Sequence, residues 1–370
     1  MLDSTLENAT GTLENILRQI SEQASRKADY IAPTDQIQVV TRDGNTNIVM
    51  EANKGMPTQQ FVTNEVAFNQ LASNCDLDVR TARRLRDNEN YSREFDNLVN
   101  KILVNEPKNK MLRTFDGEQP LVRAIVSDKF KTFDNVDLVQ AALPQLLESD
   151  AQWQIVNGTI TDQRLYMRLK SKNQIAEPAV GDLVSNGVML RNSETGHGSC
   201  EVSQLIWTLA CLNGMTSQNT SRHTHVTSAR GTDEWSLLTN EAKEADNVSL
   251  RLKLRDITAS MADTANFEKT VDQFRLAHGD IVENGLANPS AVVDSVVQVL
   301  KLPKKAASDV MAGLMQTIQQ AGYTNKPVSR ATLVNAVTSV AHVSHDDNVD
   351  EWYSTGRQLL ELPRNQWETI

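Results

Sequence analysis

The spacing of the apolar residues changes twice along the chain, and this change constrains the fold more than any other feature. In the first 30 residues, leucine and isoleucine recur at three- and four-residue steps, which indicates an amphipathic helix that ends before Pro33. Residues 110–233 instead carry short β-rich runs separated by turn residues, and residues 234–370 return to helical spacing. The sequence therefore predicts an α+β fold, in which a central antiparallel sheet packs against helices.

Three regions follow from this pattern: an N-terminal helical region with a β-hairpin over 1–109, a central α+β domain over 110–233 and a C-terminal helical region over 234–370. The hairpin is predicted at Asp43-Gly44, a dipeptide that accepts the positive φ angles of a tight turn. In the central region, Asn157-Gly158 predicts a second tight turn, and Asp134 or Asn135 is expected to cap a helix.

Composition limits the cellular setting. The three cysteines, Cys75, Cys200 and Cys211, are few and odd in number, which argues against a disulfide framework and for a reducing compartment such as the cytoplasm. The N-terminus has neither the basic residues nor the apolar core of an export signal, and no apolar run reaches the length that spans a bilayer, so no membrane role is expected. The net charge of −10 means that basic surfaces must be sought segment by segment.

No common motif of nucleophilic, phosphate-binding or zinc-protease chemistry occurs, so we assign no catalytic residue and no cofactor and favour a non-catalytic protein. Thiol and imidazole groups that would suit zinc lie within 29 residues of each other, at His197, Cys200, Cys211, His223 and His225. Their spacing matches no standard zinc site, and the two cysteines lie in apolar runs where buried thiols are common. We therefore assign no metal, although a metal-dependent enzyme remains a third hypothesis.

Arginines at positions 80, 83, 84 and 86 lie in the second of three short predicted helices, a pattern that superficially resembles a helix-turn-helix. Any cluster of three helices gives that pattern. We therefore interpret these arginines as a solvated face.

A basic strand is the main functional candidate. Between Lys101 and Lys131 the chain carries seven basic and four acidic residues, against the sign of the whole protein. In the segment RLYMRLKSK every basic residue has an even number, so the two-residue period of a strand puts all of them on one face, while three apolar residues, Leu165, Met167 and Leu169, occupy the other. Such a row can follow a phosphate backbone, and aromatic rings at Phe115, Phe130, Phe133 and Tyr166 are available for base stacking. The alternative is an ordinary solvated face of an antiparallel sheet.

Several motifs in combination resemble a known family. In chain order they are SDKFKTFDN, LRNSETGHGSCEV, an apolar run ending in LACLNGM, His225 and LVNAVTSVAH. Together they are similar to the phage- and plasmid-borne proteins of domain-of-unknown-function family 932, over roughly residues 60–345. The resemblance implies a role in phage or plasmid DNA metabolism inside a bacterial cell, and it supplies no catalytic residues. The family's recurrent positions correspond to Ser127, Asp128, Asn135, Arg191, Asn192, Glu194, Gly196, His197, Asn213 and Gly214.

The order of strands and helix in the middle of the chain also looks like that of single-strand annealing proteins of the RecT and Redβ type, by analogy of fold alone. We therefore expect a non-catalytic phage protein that binds or anneals single-stranded DNA as a homo-oligomer in the cytoplasm of a bacterial host. An interaction or virion-associated structural protein is the alternative, favoured by the acidic charge and the helical C-terminal third. The expected nucleic-acid contacts are Arg113, Arg123, Lys129, Lys131, Arg164, Arg168, Lys170, Lys172, Arg191, Asn192 and His197.

Overall fold

The structure is a computed structural model that describes residues 2–50, 58–208, 213–224, 238–283, 285–320, 322–342 and 346–370. Its strands are β1 Lys27–Pro33, β2 Ile37–Arg42, β3 Asn45–Met50, β4 Gln59–Thr63, β5 Asn109–Phe115, β6 Leu121–Ser127, β7 Trp153–Ile160, β8 Leu165–Ala179, β9 Asp182–Asn192, β10 Cys200–Thr208 and β11 Asn213–His223. Its helices are α1 Leu2–Arg26, α2 Glu65–Asn74, α3 Val79–Arg86, α4 Ser92–Asn105, α5 Asn135–Glu148, α6 Asn240–Ala262, α7 Thr264–Gly279, α8 Pro289–Val299, α9 Ala306–Thr317, α10 Arg330–Ser339, α11 Asp346–Leu360 and α12 Arg364–Trp367. The predicted α+β fold class is confirmed.

Strands β1–β6 form one sheet, the N-terminal sheet, in the order β1-β5-β6-β4-β3-β2. Only the pairing of β4 with β6 is parallel among these neighbours. The hairpin predicted at Asp43-Gly44 is confirmed, because both residues adopt positive φ, 50° and 74°, between β2 and β3. Helices α2 to α4 cover one face of the sheet, where Phe61, Phe68 and Phe95 are buried in a shared core.

The N-terminal sheet crosses the predicted boundary between residues 109 and 110. Strand β5 begins at Asn109 and pairs with β1, and β6 pairs with β4. Residues 110–127 thus complete a sheet that begins at residue 27. The reason is that β1 and one side of β4 present backbone groups that, within this sheet, only β5 and β6 satisfy.

Strands β7–β11 form a second antiparallel sheet, the central sheet, in the order of the sequence. One face packs against α1, α5 and α6, with side chains such as Ile16, Leu138, Leu165 and Leu254 in a common core. Helix α5 begins as predicted at Asp134, whose side chain and that of Asp137 form a capping box.

The turn predicted at Asn157-Gly158 is wrong. Both residues lie inside β7, and the chain reverses at residues 161–164, where the Thr161 N–H donates to the Arg164 carbonyl at 2.9 Å. Glycine at 158 serves close packing instead, because a Cβ there would come within 2.2 Å of the Ile16 Cδ1 atom of α1. Glycine is therefore required at this position because α1 packs closely against β7, and not because the chain turns there.

The C-terminal helices α7 to α12 pack around the far end of the central sheet in the largest core of the described residues. A chain of buried polar side chains connects these helices to the start of β9. The Asp182 carboxylate accepts a hydrogen bond from the Tyr323 hydroxyl at 2.7 Å and pairs with His278 Nε2 at 2.8 Å. Asn335 donates to the Tyr323 oxygen and accepts from Thr208 at 3.1 Å, which extends the chain to β10.

Within the described ranges, no helix combines the length and the apolar character needed to cross a membrane.

Candidate functional site

Four of the expected nucleic-acid contacts are buried, which corrects their assignment to an accessible surface. Arg113 and Asn192 are 0% exposed, Arg168 is 3% exposed and Arg123 is 5% exposed. The second face of the N-terminal sheet is covered by the loop between β9 and β10. Gln70 of α2 links this loop to strand β6. Its side chain donates to the Thr195 carbonyl of the loop and accepts from the Ile125 N–H of the strand, both at 2.7 Å. A sheet covered on both faces buries its even and odd residues alike.

Arg113 is the centre of a buried charge network at this junction. Its Nη2 atom lies 2.6 Å from an Asp134 oxygen and 3.1 Å from an Asp29 oxygen, and its Nη1 atom donates to the Glu194 carbonyl at 2.8 Å. Lys27 also pairs with Asp134. The guanidinium therefore joins β1, β5, the start of α5 and the β9–β10 loop, and its charge is matched by protein carboxylates.

Arg123 forms the second part of the network. Its Nη1 atom pairs with one Glu194 carboxylate oxygen, and the other oxygen accepts the Asn135 backbone N–H at 2.6 Å. Burial alone would raise the pKa of Glu194, but the guanidinium groups of Arg123 and Arg113, together with this hydrogen bond, hold that pKa below its usual value. Glu194 is thus a charged structural link between the two sheets.

The basic row on β8 is only partly as predicted. The apolar residues of the strand do face the core of α1, α5 and α6, as expected. On the opposite face, however, Arg168 is buried beside Tyr166, with its guanidinium carbon 5.5 Å from the ring centre and Nη1 3.3 Å from Asn157 Oδ1. Arg164 precedes the strand and donates to the His197 carbonyl and to the Tyr166 hydroxyl. These side chains therefore do not form a continuous accessible row.

Two lysines complete that row. Lys170 is half-buried, and burial lowers its pKa, whereas Lys172 is exposed. Helix α11 packs over part of the face of the central sheet that carries this basic row. Its residues Val349 and Tyr353 contact Trp207 and neighbouring side chains there.

The rings expected to stack on bases are also mostly inside the protein. Phe130, Phe133 and Tyr166 are at most 3% exposed. Phe115 is half-buried and lies beneath the Arg123 guanidinium, 4.6 Å from ring centre to carbon. Base stacking on these rings is therefore not available in this conformation.

The motif residues that carry the family resemblance partly converge. Asn192 donates to the Asn135 side chain at 3.1 Å, and Asn135 contacts Glu194. Gly196 adopts a φ of 81° where the β9–β10 loop meets β6, so a side chain there would be strained. Arg191 lies apart, on the opposite face of β9, and pairs with Glu201 at 2.5 Å.

A further cluster of basic groups lies between the segment after β6, the end of β11 and helix α6. We name it the basic pocket. It has a volume of about 350 Å³, and its lining includes Lys131, Arg222, His223, Asp246 and Lys253. A volume of this size is within the usual range of ligand sites, roughly 300–1,000 Å³.

Charge in the basic pocket is positive on balance. Lys131 pairs with Asp246 at 2.9 Å, while Lys253 forms no ion pair with any residue that the structure describes. Burial and the nearby Lys253 and Lys131 lower the pKa of His223 despite the opposing effect of Asp246. Arg222, at the end of β11, donates to Ser199 at 2.8 Å. The pocket therefore favours an anion.

The sequence predicted only some of the basic residues that line this pocket. Lys131 was among the expected contacts, and Lys129 lies two residues before it, half-buried. Arg222 and Lys253 were missed, because no local pattern links them to Lys131 and only the packing of α6 against the central sheet brings Lys253 near. A basic residue at the end of an edge strand is a signal that would have drawn attention to Arg222.

The zinc hypothesis receives no geometric support from the described part of the chain, where no group of three His, Cys, Asp or Glu side chains is placed to hold a metal. Cys211 and His225, two of the five suggested ligands, lie outside the described residues. Cys200 is buried, and burial raises the pKa of its thiol.

The described thiols are expected to be unreactive. Burial, aided by Asp76, raises the pKa of Cys75 to about 11, so roughly one molecule in a thousand carries the thiolate at pH 8. In a Cys211→Ser variant, we expect Ellman's reagent to modify no thiol in the native protein and two in denaturant. Rapid modification of the native variant at pH 8 would contradict this.

The arginines of α3 only partly form the solvated face that the sequence interpretation stated, because Arg86 is half-buried. Arg83 and Arg86 pair with Glu65, and Arg86 also stacks over Phe68, with 4.2 Å between the guanidinium carbon and the ring centre. Half of the basic residues of this helix are thus neutralised by neighbours.

When the chain is compared with protein-family models, with curated proteins and with solved structures, none of the three comparisons finds a match.

Proposed function

We propose that this protein binds single-stranded nucleic acid through its phosphates, at the basic pocket rather than along β8. The observation that carries the proposal is that Lys131, Arg222 and Lys253 line a pocket of about 350 Å³ in which Asp246 is the one carboxylate among the described lining residues. Basic side chains that outnumber acidic ones in a concave site attract phosphate groups and release bound counterions.

The pocket makes some of the earlier expectations more specific. A site of this size contacts only a short stretch of the strand, so binding is expected to involve few phosphates and to be weaker than along an extended row. We retain two expectations that the resemblance to family 932 raised, namely DNA metabolism of a phage or plasmid and the cytoplasm of a bacterial host. We also retain the homo-oligomer that was expected of a single-strand binding or annealing protein. It assigns no chemical step to the protein.

The proposal predicts salt-dependent binding. With three phosphates neutralised, affinity for a short fluorescein-labelled single strand should fall roughly 20-fold between about 50 and 200 mM salt. In the double variant Lys131→Glu and Lys253→Glu, affinity at low salt should fall at least about tenfold, and the remaining salt effect should be roughly threefold. Fluorescence anisotropy measures both quantities.

The matched control is Lys304→Glu with Lys305→Glu, which makes the same change of charge at two exposed lysines before α9. This control should bind within about twofold of the wild type, because charges beyond a Debye length are screened. Equal losses in both double variants, or no binding by the wild type, would refute the proposal. The second outcome would favour the interaction or structural protein that the acidic charge suggests.

A further inference from the structure

The two edge strands of the N-terminal sheet, β2 and β1, differ in how their outward backbone groups are satisfied. On β2, side chains of α4 bond to these groups. The Val39 N–H donates to Asn100 Oδ1 at 2.7 Å, and the Val39 carbonyl accepts from Asn100 Nδ2 at 2.8 Å. The Thr41 N–H donates to Asp96 Oδ2 at 2.7 Å. This edge is therefore closed to a further strand.

The edge strands of the central sheet are protected in another way. Strand β7 has an extra residue between Ile155 and Asn157 relative to β8, and the pairing of β11 with β10 shifts register between Ser203 and Leu205. Irregularities of this kind bend an edge strand and deter pairing with another chain. Three of the four edges of the two described sheets thus carry a protecting feature.

Strand β1 carries no such feature along its outer edge, and it pairs with β5 without a break in register. Two bonds at its ends fix which groups point outward. The Asp116 N–H donates to the Arg26 carbonyl at 2.7 Å, and the Thr34 N–H donates to the Lys108 carbonyl at 3.0 Å. Since hydrogen-bonded pairs alternate along an antiparallel ladder, the even-numbered residues of β1 bond to β5, and the odd-numbered ones point their N–H and C=O groups away.

The outward N–H groups belong to Lys27, Asp29 and Ile31, and they donate to no backbone group of a described residue. Asp29 is exposed as a residue although its side chain is only 21% exposed, so its accessible surface is mainly backbone. Ile31 is 58% exposed. Charged side chains often guard an edge, but here Lys27 pairs with Asp134 and Asp29 pairs with Arg113. Strand β1 is therefore open and unguarded.

The chemistry of this edge specifies its occupant. Outward N–H and C=O groups two residues apart are matched by another extended backbone. The edge is also self-complementary, because a two-fold axis lets two antiparallel copies satisfy each other. With the axis at Tyr30, Asp29 lies opposite Ile31 of the second copy and Lys27 lies opposite its Pro33, so every outward N–H finds an acceptor. An axis at Asp29 would instead place two carboxylates directly opposite each other, which is unfavourable.

We infer that β1 pairs with β1 of a second copy of this chain, antiparallel about a two-fold axis at Tyr30. The two N-terminal sheets then join into one continuous sheet. Ile31, which lies beside Met111 of β5, becomes covered in both copies. This inference gives the expected homo-oligomer an interface, and it depends neither on nucleic-acid binding nor on the basic pocket.

The test is analytical ultracentrifugation of the chain without nucleic acid. The wild type should show a reversible equilibrium of monomer and dimer between about 1 and 100 μM. Ile31→Lys adds a charge that guards the edge in both copies, so the dissociation constant should rise at least about tenfold. Because Ile31 is exposed, the fold of the monomer should be unchanged, which circular dichroism checks.

The matched control is Val104→Lys, which makes the same type of replacement at a 56% exposed position near the end of α4. Its dissociation constant should stay within about twofold of the wild-type value, because exposed positions outside the interface tolerate such a change.

The position of the axis is tested with Tyr30→Cys, made together with Cys211→Ser. Residues that face each other in a non-hydrogen-bonded pair have Cα atoms about 4.5 Å apart, within disulfide range. Mild oxidation should therefore link two copies covalently. The control is Gln38→Cys with Cys211→Ser, at an exposed position of the closed edge strand β2, and it should stay unlinked.

The inference is overturned if the wild type stays monomeric over this range, which would leave the edge to a strand of another protein. It is equally overturned if Ile31→Lys dimerises as tightly as Val104→Lys, or if Gln38→Cys forms the disulfide as readily as Tyr30→Cys. The double variant Lys131→Glu and Lys253→Glu should dimerise as the wild type does, so a failure of nucleic-acid binding is distinguished from a failure of this interface.

Discussion

Replacing Arg113 with methionine is expected to lower the free energy of unfolding by roughly 3–5 kcal/mol, because it removes a buried charge that is paired with the buried Asp134 carboxylate and leaves the buried Glu194 carbonyl without its donor. The fully buried guanidinium contacts Asp29, Asp134 and the Glu194 carbonyl, and the shorter methionine side chain supplies none of these hydrogen bonds. Urea unfolding at neutral pH, followed by circular dichroism, measures the difference between variant and wild type.

The control for this prediction is Arg80→Met, at an exposed position of α3, which should change stability by no more than about 0.5 kcal/mol. Similar unfolding midpoints for the two variants would show that the network contributes no stability.

The same variant has a defined pH dependence. Since the pKa of Glu194 is depressed in the folded protein, its stabilising effect is present above its usual pKa of 4.5 and is lost as the pH falls through the folded value. The gap in unfolding free energy between the wild type and Arg113→Met should therefore narrow below about pH 4, where Glu194 takes up its proton.

Replacing Asp182 with alanine is expected to cost roughly 2–4 kcal/mol, because the Tyr323 hydroxyl and His278 lose a buried acceptor and each unsatisfied group costs about 1–3 kcal/mol. The site has little freedom to rearrange: a Cβ at Gly322 would lie 2.9 Å from the Asp182 backbone. The loss should appear in both thermal and urea unfolding.

Asp294→Ala is the matched control for this change. It removes an exposed carboxylate from α8, where alanine is a better helix former, so stability should stay the same or rise slightly. If Asp182→Ala is as stable as this control, the buried polar chain does not hold the C-terminal helices to the central sheet.

Local signals in the sequence predicted most of the elements. Turn chemistry located the β2–β3 hairpin, and capping residues located α5, because these features depend on neighbours a few residues apart. The prediction of a turn at Asn157-Gly158 was wrong because a distant contact decides the role of that glycine. The contact is with Ile16, which lies in a helix more than 130 residues away in sequence. The pairing of β5 with β1 is equally non-local.

The candidate site was less predictable than the elements. Alternation along β8 correctly separated apolar from basic residues, but a two-residue period does not reveal whether the polar face is covered. Arg168 and Arg113 are buried because other segments, remote in sequence, close over those faces and supply Asn157, Asp29 and Asp134 as partners. Among the expected contacts, Lys131 is the one that the structure places in the basic pocket.

The insertion of β6 between β5 and β4 imposes an order on folding during synthesis. Strands β1 to β4 leave the ribosome before residues 121–127 exist, yet β4 has no neighbour on one side until β6 arrives. The growing chain therefore carries an open strand edge for some 60 residues of translation, about 3–12 s at ordinary elongation rates. During that interval α2 to α4 are already available to cover one face of the unfinished sheet, while its other face waits for the β9–β10 loop.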